Sequence, residues 1–169
     1  MIVQARQEQI EEIMCLLKQA KARMLASGIP QWSDTYPDRA IIHQDILGKT
    51  AYVYMQGEKS GGYFVLSFAL EASYRDIQNG QWRNENPYGV IHRLALADEM
   101  VGQGIGQKIF SFAKEQAVKR GIYDLRIDTH AKNIPMQKAL QRAGFQYCGV
   151  VMLAEGGIRN AYQAELSHG

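Results

Sequence analysis

The chain is poor in cysteine, with only Cys15 and Cys148 among 169 residues. Two cysteines make neither a disulfide framework nor a metal-ligand pattern, so no metal is expected and a reducing cytoplasm is the expected setting. No apolar run approaches the roughly 18 residues that a membrane span requires. The first residues, Met-Ile-Val-Gln-Ala-Arg-Gln-Glu, lack an apolar signal core and turn charged at once. Charge of one sign is also scarce: the net charge is +2 and no basic stripe stands out. That balance suits an anionic ligand and argues against a nucleic-acid partner. Internal repeats, linkers and low-complexity tracts are absent. What remains is 46% hydrophobic and 21% charged, the make-up of an ordinary soluble protein. Residues 1–169 fit one domain, which at this size buries roughly 70% of its unfolded-chain surface.

The most informative stretch is Ile-His-Arg-Leu-Ala-Leu-Ala-Asp-Glu-Met-Val-Gly-Gln-Gly-Ile-Gly-Gln, residues 91–107. An apolar, strand-like run enters a turn with glycines at Gly102, Gly104 and Gly106, and an amphipathic helix follows. The first turn of a helix offers unpaired backbone N–H groups and the positive end of its dipole. Glycines let a phosphate approach that backbone without a Cβ in the way. The spacing excludes two common nucleotide loops. A dinucleotide turn, Gly-x-Gly-x-x-Gly, fails because Gln107 stands where its last glycine belongs if it starts at Gly102, and Ile109 if it starts at Gly104. A Walker A loop fails because Gly48-Lys49-Thr50 has His43 where the first glycine belongs.

Periodicity predicts the rest of the chain. Ile2 to Ala5 reads as a short strand. From Gln7 to Ala26, Ile10, Ile13, Met14, Leu17, Ala20, Met24 and Leu25 recur at helical spacing, and Ser27-Gly28 stops that helix. An aromatic-bearing loop, Gln31 to Pro37, precedes a second helix over Asp38 to Leu47. Thr50 to Met55 and Gly62 to Ala69 read as strands joined by a Gly57-to-Gly61 turn. Glu71 to Pro87 is polar and irregular, with a helical turn near Tyr74 to Ile77. Then come a strand (Gly89 to Leu96), a helix (Gly104 to Arg120), a strand (Tyr123 to Thr129) and a helix (Asn133 to Ala143). Asn133 is a good N-cap, and Pro135 is tolerated in the first turn. Phe145 to Leu153 and Ala161 to Leu166 close the chain as strands around Glu-Gly-Gly-Ile-Arg-Asn. Strands flanking a helix, 89–96 and 123–129, should be parallel, and those joined by short turns antiparallel. The fold class is α/β, with a mixed, mostly antiparallel sheet flanked by helices.

The glycine turn resembles motif A of the N-acetyltransferases of the GNAT family, Arg/Gln-x-x-Gly-x-Gly/Ala, with Val101 in the first position. A second stretch, Asp124-Leu-Arg-Ile-Asp-Thr-His-Ala-Lys-Asn-Ile-Pro-Met-Gln-Lys-Ala-Leu-Gln-Arg-Ala-Gly-Phe145, resembles motif B of the same family. Asn133 matches the asparagine that contacts the coenzyme A arm, and Gly144-Phe145 matches the Gly-Phe that ends the helix. The element order matches that family's acyl-CoA N-acyltransferase fold over essentially the whole chain. The resemblance implies acetyl-CoA as co-substrate, with the pyrophosphate on the amides of Gly102, Gln103, Gly104, Ile105, Gly106 and Gln107. It places the thioester beside Leu94, Ala95 and Leu96, whose backbone would pair with the pantetheine and donate to the oxyanion. Family members often carry a tyrosine seven residues after the asparagine as acid for the thiolate, and here Leu140 stands there.

The implied reaction is direct acetyl transfer to a primary amine of a small molecule or peptide. Asp128, five residues before Asn133 at the end of a strand, is the first candidate base; its alternative role is an ion pair with Arg126 or a capping contact. His92 is the second, since imidazole titrates near neutrality; its alternative is a hydrogen-bonded core residue. His130 is a third candidate or a surface loop residue. Tyr147, Tyr162 or water could serve the leaving thiolate, which at a thiol pKa near 8.5 makes a mild demand. Trp32 and Tyr36 either wall the acceptor site or staple their loop to the core. Cys148, alternating with apolar residues, is not a nucleophile by this reading. Dimers are common in the family. The second functional reading is a coenzyme A-binding module with little or no transfer activity, motivated by Val101 and Leu140.

Overall fold

The computed structural model describes residues 1–154 and 156–168. Its elements follow the expected order: β1 (Ile2–Gln4), α1 (Ile10–Ala26), α2 (Arg39–Leu47), β2 (Ala51–Gln56), β3 (Lys59–Ser67), β4 (Gly89–Leu96), α3 (Ile105–Lys119), β5 (Asp124–Thr129), α4 (Ile134–Arg142), β6 (Gln146–Met152) and β7 (Ile158–Glu165). Short 3-10 turns lie at Gln7–Gln9, Ala72–Tyr74 and Asp98–Met100. The architecture is α/β, with a mixed, mostly antiparallel sheet flanked by helices. The chain clusters into two compact units, Met1–Leu66 with His92–Ile109, and Ser67–Ile91 with Phe110 onward. β4 contributes its start to the second unit and its end to the first.

In the first unit β1 pairs antiparallel with β2 (Val3↔Val53) and β2 with β3 (Val53↔Tyr63). α1 buries Ile13, Leu16, Leu17 and Ala20, the spacing of one helical face. Leu25, expected on that face, is exposed instead. Asp38 caps α2 by accepting from the Ile41 N–H at 2.9 Å, which satisfies one of the orphan donors of the first turn. The turn between β2 and β3 is tighter than expected. β3 begins at Lys59, and Ser60, Gly61 and Gly62 are buried strand residues. The two glycines serve close approach rather than turning. A Cβ on Gly61 would meet Met100 Cγ at 2.9 Å, and one on Gly62 would meet Leu96 Cδ2 at 3.0 Å.

In the second unit β4 and β5 run parallel (Gly89↔Leu125, Val90↔Arg126), as the intervening helix requires. β5 pairs antiparallel with β7 (Asp128↔Ala161), and β7 with β6. β7 begins earlier than expected, so Arg159 is a buried strand residue and not part of a turn. Glu155, assigned to that turn, lies outside the described residues. A core cluster of Tyr74, Val90, Val151 and Ala161 is packed by Ile77, Trp82 and Tyr88. The polar segment before β4 therefore supplies core.

Candidate active site

The first unit holds the end of β4, the glycine turn and the start of α3. Gly102 and Gly104 have φ of 81° and 75°, the left-handed region that glycine enters without a steric penalty. The first closed hydrogen bond of α3 runs from the Lys108 N–H to the Gly104 carbonyl at 3.3 Å. Helix geometry leaves the amides of Ile105 and Gly106 without intrahelical acceptors. A Cβ on Gly102, Gly104 or Gly106 would meet nothing within 4 Å, so open space fronts all three. A turn of uncovered backbone donors at a helix N-terminus fits a pyrophosphate. Val101 is exposed at its head, and the Gln103 amide nitrogen donates to the Glu99 carbonyl.

The strand that leads to this turn is bent at Arg93, whose φ is 52°. A non-glycine residue in that region marks an irregularity that the surroundings must hold in place. Here they do. The Arg93 guanidinium donates to Asp45 through Nε at 2.9 Å and Nη2 at 2.5 Å, and to the Tyr36 hydroxyl at 3.0 Å. The Tyr63 hydroxyl also donates to Asp45, at 2.8 Å. The Arg93 and Asp45 side chains are only 16% and 10% exposed. Burial works against the charged guanidinium, but the hydrogen bonds and charge of Asp45 hold the Arg93 pKa above its ordinary value. Burial and the Asp45 charge push the Tyr63 phenol far up. Tyr36, a candidate acceptor residue, thus has its hydroxyl tied to Arg93, while Trp32 is half-buried in the same loop.

Leu94, Ala95 and Leu96 follow the bend. The Leu96 carbonyl accepts from Arg23 Nη2 at 3.0 Å, and Arg23 also pairs with Asp98. One candidate pantetheine acceptor is therefore engaged by α1. His92 is half-buried on β4, directly before Arg93.

The second unit holds Asp128 and Asn133. Asn133 caps α4 by accepting from the Met136 N–H at 3.2 Å. Asp128 accepts from the Tyr74 hydroxyl at 2.6 Å and faces Arg159 Nε at 3.9 Å. Arg126 does not supply the expected ion pair. Its guanidinium lies 4.2 Å from the Trp82 ring centre and 4.0 Å from that of Tyr88, and Nη2 donates to the Asn84 carbonyl at 2.8 Å. Its Nε is buried without a hydrogen-bond partner. The sequence reading missed Tyr74, Trp82 and Arg159. The only signal for the first two was an aromatic in an otherwise polar segment.

The remaining candidates separate by environment. His130 Nδ1 accepts from the Lys132 N–H at 3.0 Å, and burial, with Arg159 and Lys132 nearby, lowers its pKa below the ordinary imidazole value. The Tyr162 hydroxyl donates to Gln137 Oε1 at 2.8 Å, and burial raises its pKa, so it is a phenol at neutral pH. Tyr147 stands edge-on to it at 5.8 Å and is exposed. Burial pushes the Cys148 thiol up, which makes it inert. Leu140 is fully buried, a core position with no room for an acid. No cluster of metal-ligating side chains exists among the described residues, and no helix among them is long and apolar enough to cross a membrane.

Comparison with known proteins gives the frame for this geometry. The profile of the acetyltransferase (GNAT) family matches residues 25–145. A GNAT-family acetyltransferase from Streptococcus agalactiae superposes with a TM-score of 0.91 at 34% identity, over 99% of this chain and 95% of that one. A GNAT-family acetyltransferase from Listeria monocytogenes gives 0.75 at 19% identity, over 98% and 94%. The PaiA N-acetyltransferase from Thermoplasma acidophilum, solved with coenzyme A, gives 0.73 at 16%, over 98% of each chain. These last two likenesses are of fold alone. No curated protein matches the chain. The profile covers most of the sequence and the streptococcal protein nearly all of it, so this protein belongs to the GNAT family of acetyltransferases.

Proposed function

We propose that the protein moves the acetyl group of acetyl-CoA onto a primary amine of a small molecule or peptide, acting in the cytoplasm as one catalytic domain over residues 1–169. The observation that carries this reading is the glycine turn: two left-handed glycines, open space in front of them, and a helix start directly behind. The amides from Gly102 to Gln107 hold the pyrophosphate, and Asn133 meets the coenzyme arm. The backbone at Leu94 to Leu96 pairs with the pantetheine and gives the carbonyl oxygen a donor as charge builds on it. The amine nitrogen attacks the thioester carbon, the carbon–sulfur bond breaks, and the sulfur leaves as thiolate. The amine proton passes to Asp128, with His92 as the second candidate. Trp32 and Tyr36 border the acceptor. With Leu140 in the core, the thiolate takes its proton from water or from Tyr162.

Two measurements test this. Acetyl-CoA should raise Tm, because a ligand that binds only the folded state stabilises it. A mixed primary-amine library incubated with acetyl-CoA should yield a product heavier by one acetyl group. A second reading, a coenzyme A-binding module with little transfer activity, is favoured by the buried Leu140 and by Val101. A Tm shift without any acetylated product selects it, and no shift at millimolar acetyl-CoA defeats both.

A further inference from the structure

One buried titratable side chain in the second unit has no part in the chemistry above. Tyr74 sits on a 3-10 turn within a polar segment, yet it is 1% exposed. Its ring is packed by Trp82, with centroids 5.1 Å apart, and by Tyr88 at 6.5 Å. Its carbonyl accepts from Trp82 Nε1 at 2.8 Å. The ring and the backbone are therefore both held, and the hydroxyl has one direction to point. It points at Asp128 Oδ2, 2.6 Å away. That length lies in the range of an O–H donor on a carboxylate. Asp128 Oδ1 faces Arg159 Nε from β7 at 3.9 Å.

We propose that Tyr74 is the positioning residue for Asp128, holding the carboxylate in one orientation at the end of β5 where it takes the proton of the attacking amine. The proposal rests on Asp128 as the proton acceptor. Tyr74 is suited to positioning because it is excluded from anything else. Enclosed on all sides, it touches no reactant. Burial, and then the Asp128 charge, raise its pKa well above the ordinary phenol value, so it remains a donor throughout the working range. A donor on the charged form of a carboxylate favours that form. Among the described residues, the charged and titratable groups around the pair include Arg159 from β7, Glu71 and Tyr88 beside the Tyr74 ring, and His130 two residues beyond Asp128.

The test replaces Tyr74→Phe, which keeps the ring between Trp82 and Tyr88 and removes only the donor. The Asp128 carboxyl is followed by carbon-detected NMR titration, with Asp128→Asn identifying the signal. Acetylation of the mixed amine library by acetyl-CoA is measured in parallel. The carboxyl midpoint should move to higher pH, product formation should fall about tenfold or more, and the acetyl-CoA KM should stay unchanged. Replacing Tyr74 by 3-fluorotyrosine keeps the shape and strengthens the donor, so it should move the midpoint the other way; this variant decides the matter if Tyr74→Phe fails to fold. An unmoved midpoint in either variant overturns the proposal and reduces Tyr74 to packing. If the midpoint moves but Asp128→Asn acetylates amines as well as the parent does, Asp128 is not the base, and Tyr74 has no proton transfer to serve.

Discussion

Asp45→Ala should be the most damaging single change in the first unit that touches no substrate. It leaves the Arg93 guanidinium, with its side chain 16% exposed, facing only the Tyr36 hydroxyl. It also strips the acceptor from the Tyr63 hydroxyl, in a residue with no exposed surface. Removing one partner of a buried ion pair costs about 3–5 kcal/mol, because the remaining charge stays buried without compensation. The unpaired tyrosine hydroxyl would cost about 1–3 kcal/mol alone, but both losses pass through one carboxylate and do not add in full. In a domain of this length each kcal/mol lowers Tm by about 2–4 °C, so the expected fall is about 6–20 °C. Calorimetry would measure it.

Two companion variants isolate the cause. Glu11→Ala breaks the pair with Arg39, whose side chains are 55% and 75% exposed, and should leave Tm unchanged. Asp45→Leu with Arg93→Met removes both charges and should fall less than Asp45→Ala, since no uncompensated charge remains. The acetyl-CoA response is the second readout. A left-handed non-glycine residue costs about 1–3 kcal/mol and persists only where its surroundings over-determine it. Freed from Asp45, Arg93 relaxes, and Leu94 to Leu96 lose their direction. Asp45→Ala should therefore also shrink the Tm gain from acetyl-CoA. A fall in Tm no larger than that of Glu11→Ala would refute the reasoning.

Gly106→Asp is the cleanest probe of the glycine turn. Unlike Gly102 and Gly104, Gly106 has no left-handed φ, and a Cβ there meets nothing. An acid in the first helical turn is favourable to the dipole, so the apo Tm should hold or rise. The acetyl-CoA Tm gain should vanish through like charge, and an intact gain would remove the phosphate from this turn. Leu140→Tyr restores the family's usual acid to its usual place, but at a position with no exposure. Overpacking should cost about 1–3 kcal/mol and turnover should not improve; a faster enzyme by steady-state kinetics would show that the missing tyrosine limits the reaction.

Local signals carried most of the fold. β4 was legible to the residue, because an apolar run ended at glycines. Asn133 announced α4 because an N-cap acts within one turn. Failures came where partners are far apart in the chain. Tyr74 and Asp128 are separated by 54 residues, and Arg93 and Asp45 by 48. No window of sequence contains both members. Arg159 was read as a turn residue because Gly156 and Gly157 precede it. Gly61 was read as part of a turn because glycine commonly marks one, whereas it makes room for Met100. The glycine turn escaped this difficulty because the donors it offers are backbone amides, which survive even Val101 in place of the expected polar side chain.

The two units repeat one chemical theme, an aspartate with a tyrosine hydroxyl on one side and an arginine on the other, and the geometry separates their roles. At Asp45 the arginine closes a two-point clasp at 2.5 and 2.9 Å, with Tyr63 on the same carboxylate. Bidentate geometry of this kind gives strength and fixed orientation, and a proton arriving there would have to displace a guanidinium. At Asp128 the tyrosine bond is short, 2.6 Å, but Arg159 stands at 3.9 Å, beyond hydrogen-bond length. At that distance Arg159 makes no two-point clasp on the carboxylate, so a proton arriving at Asp128 would not have to displace its guanidinium. That difference, invisible in composition or spacing, supports the proposal that Asp128 takes the proton and gives Asp45 its part in stability.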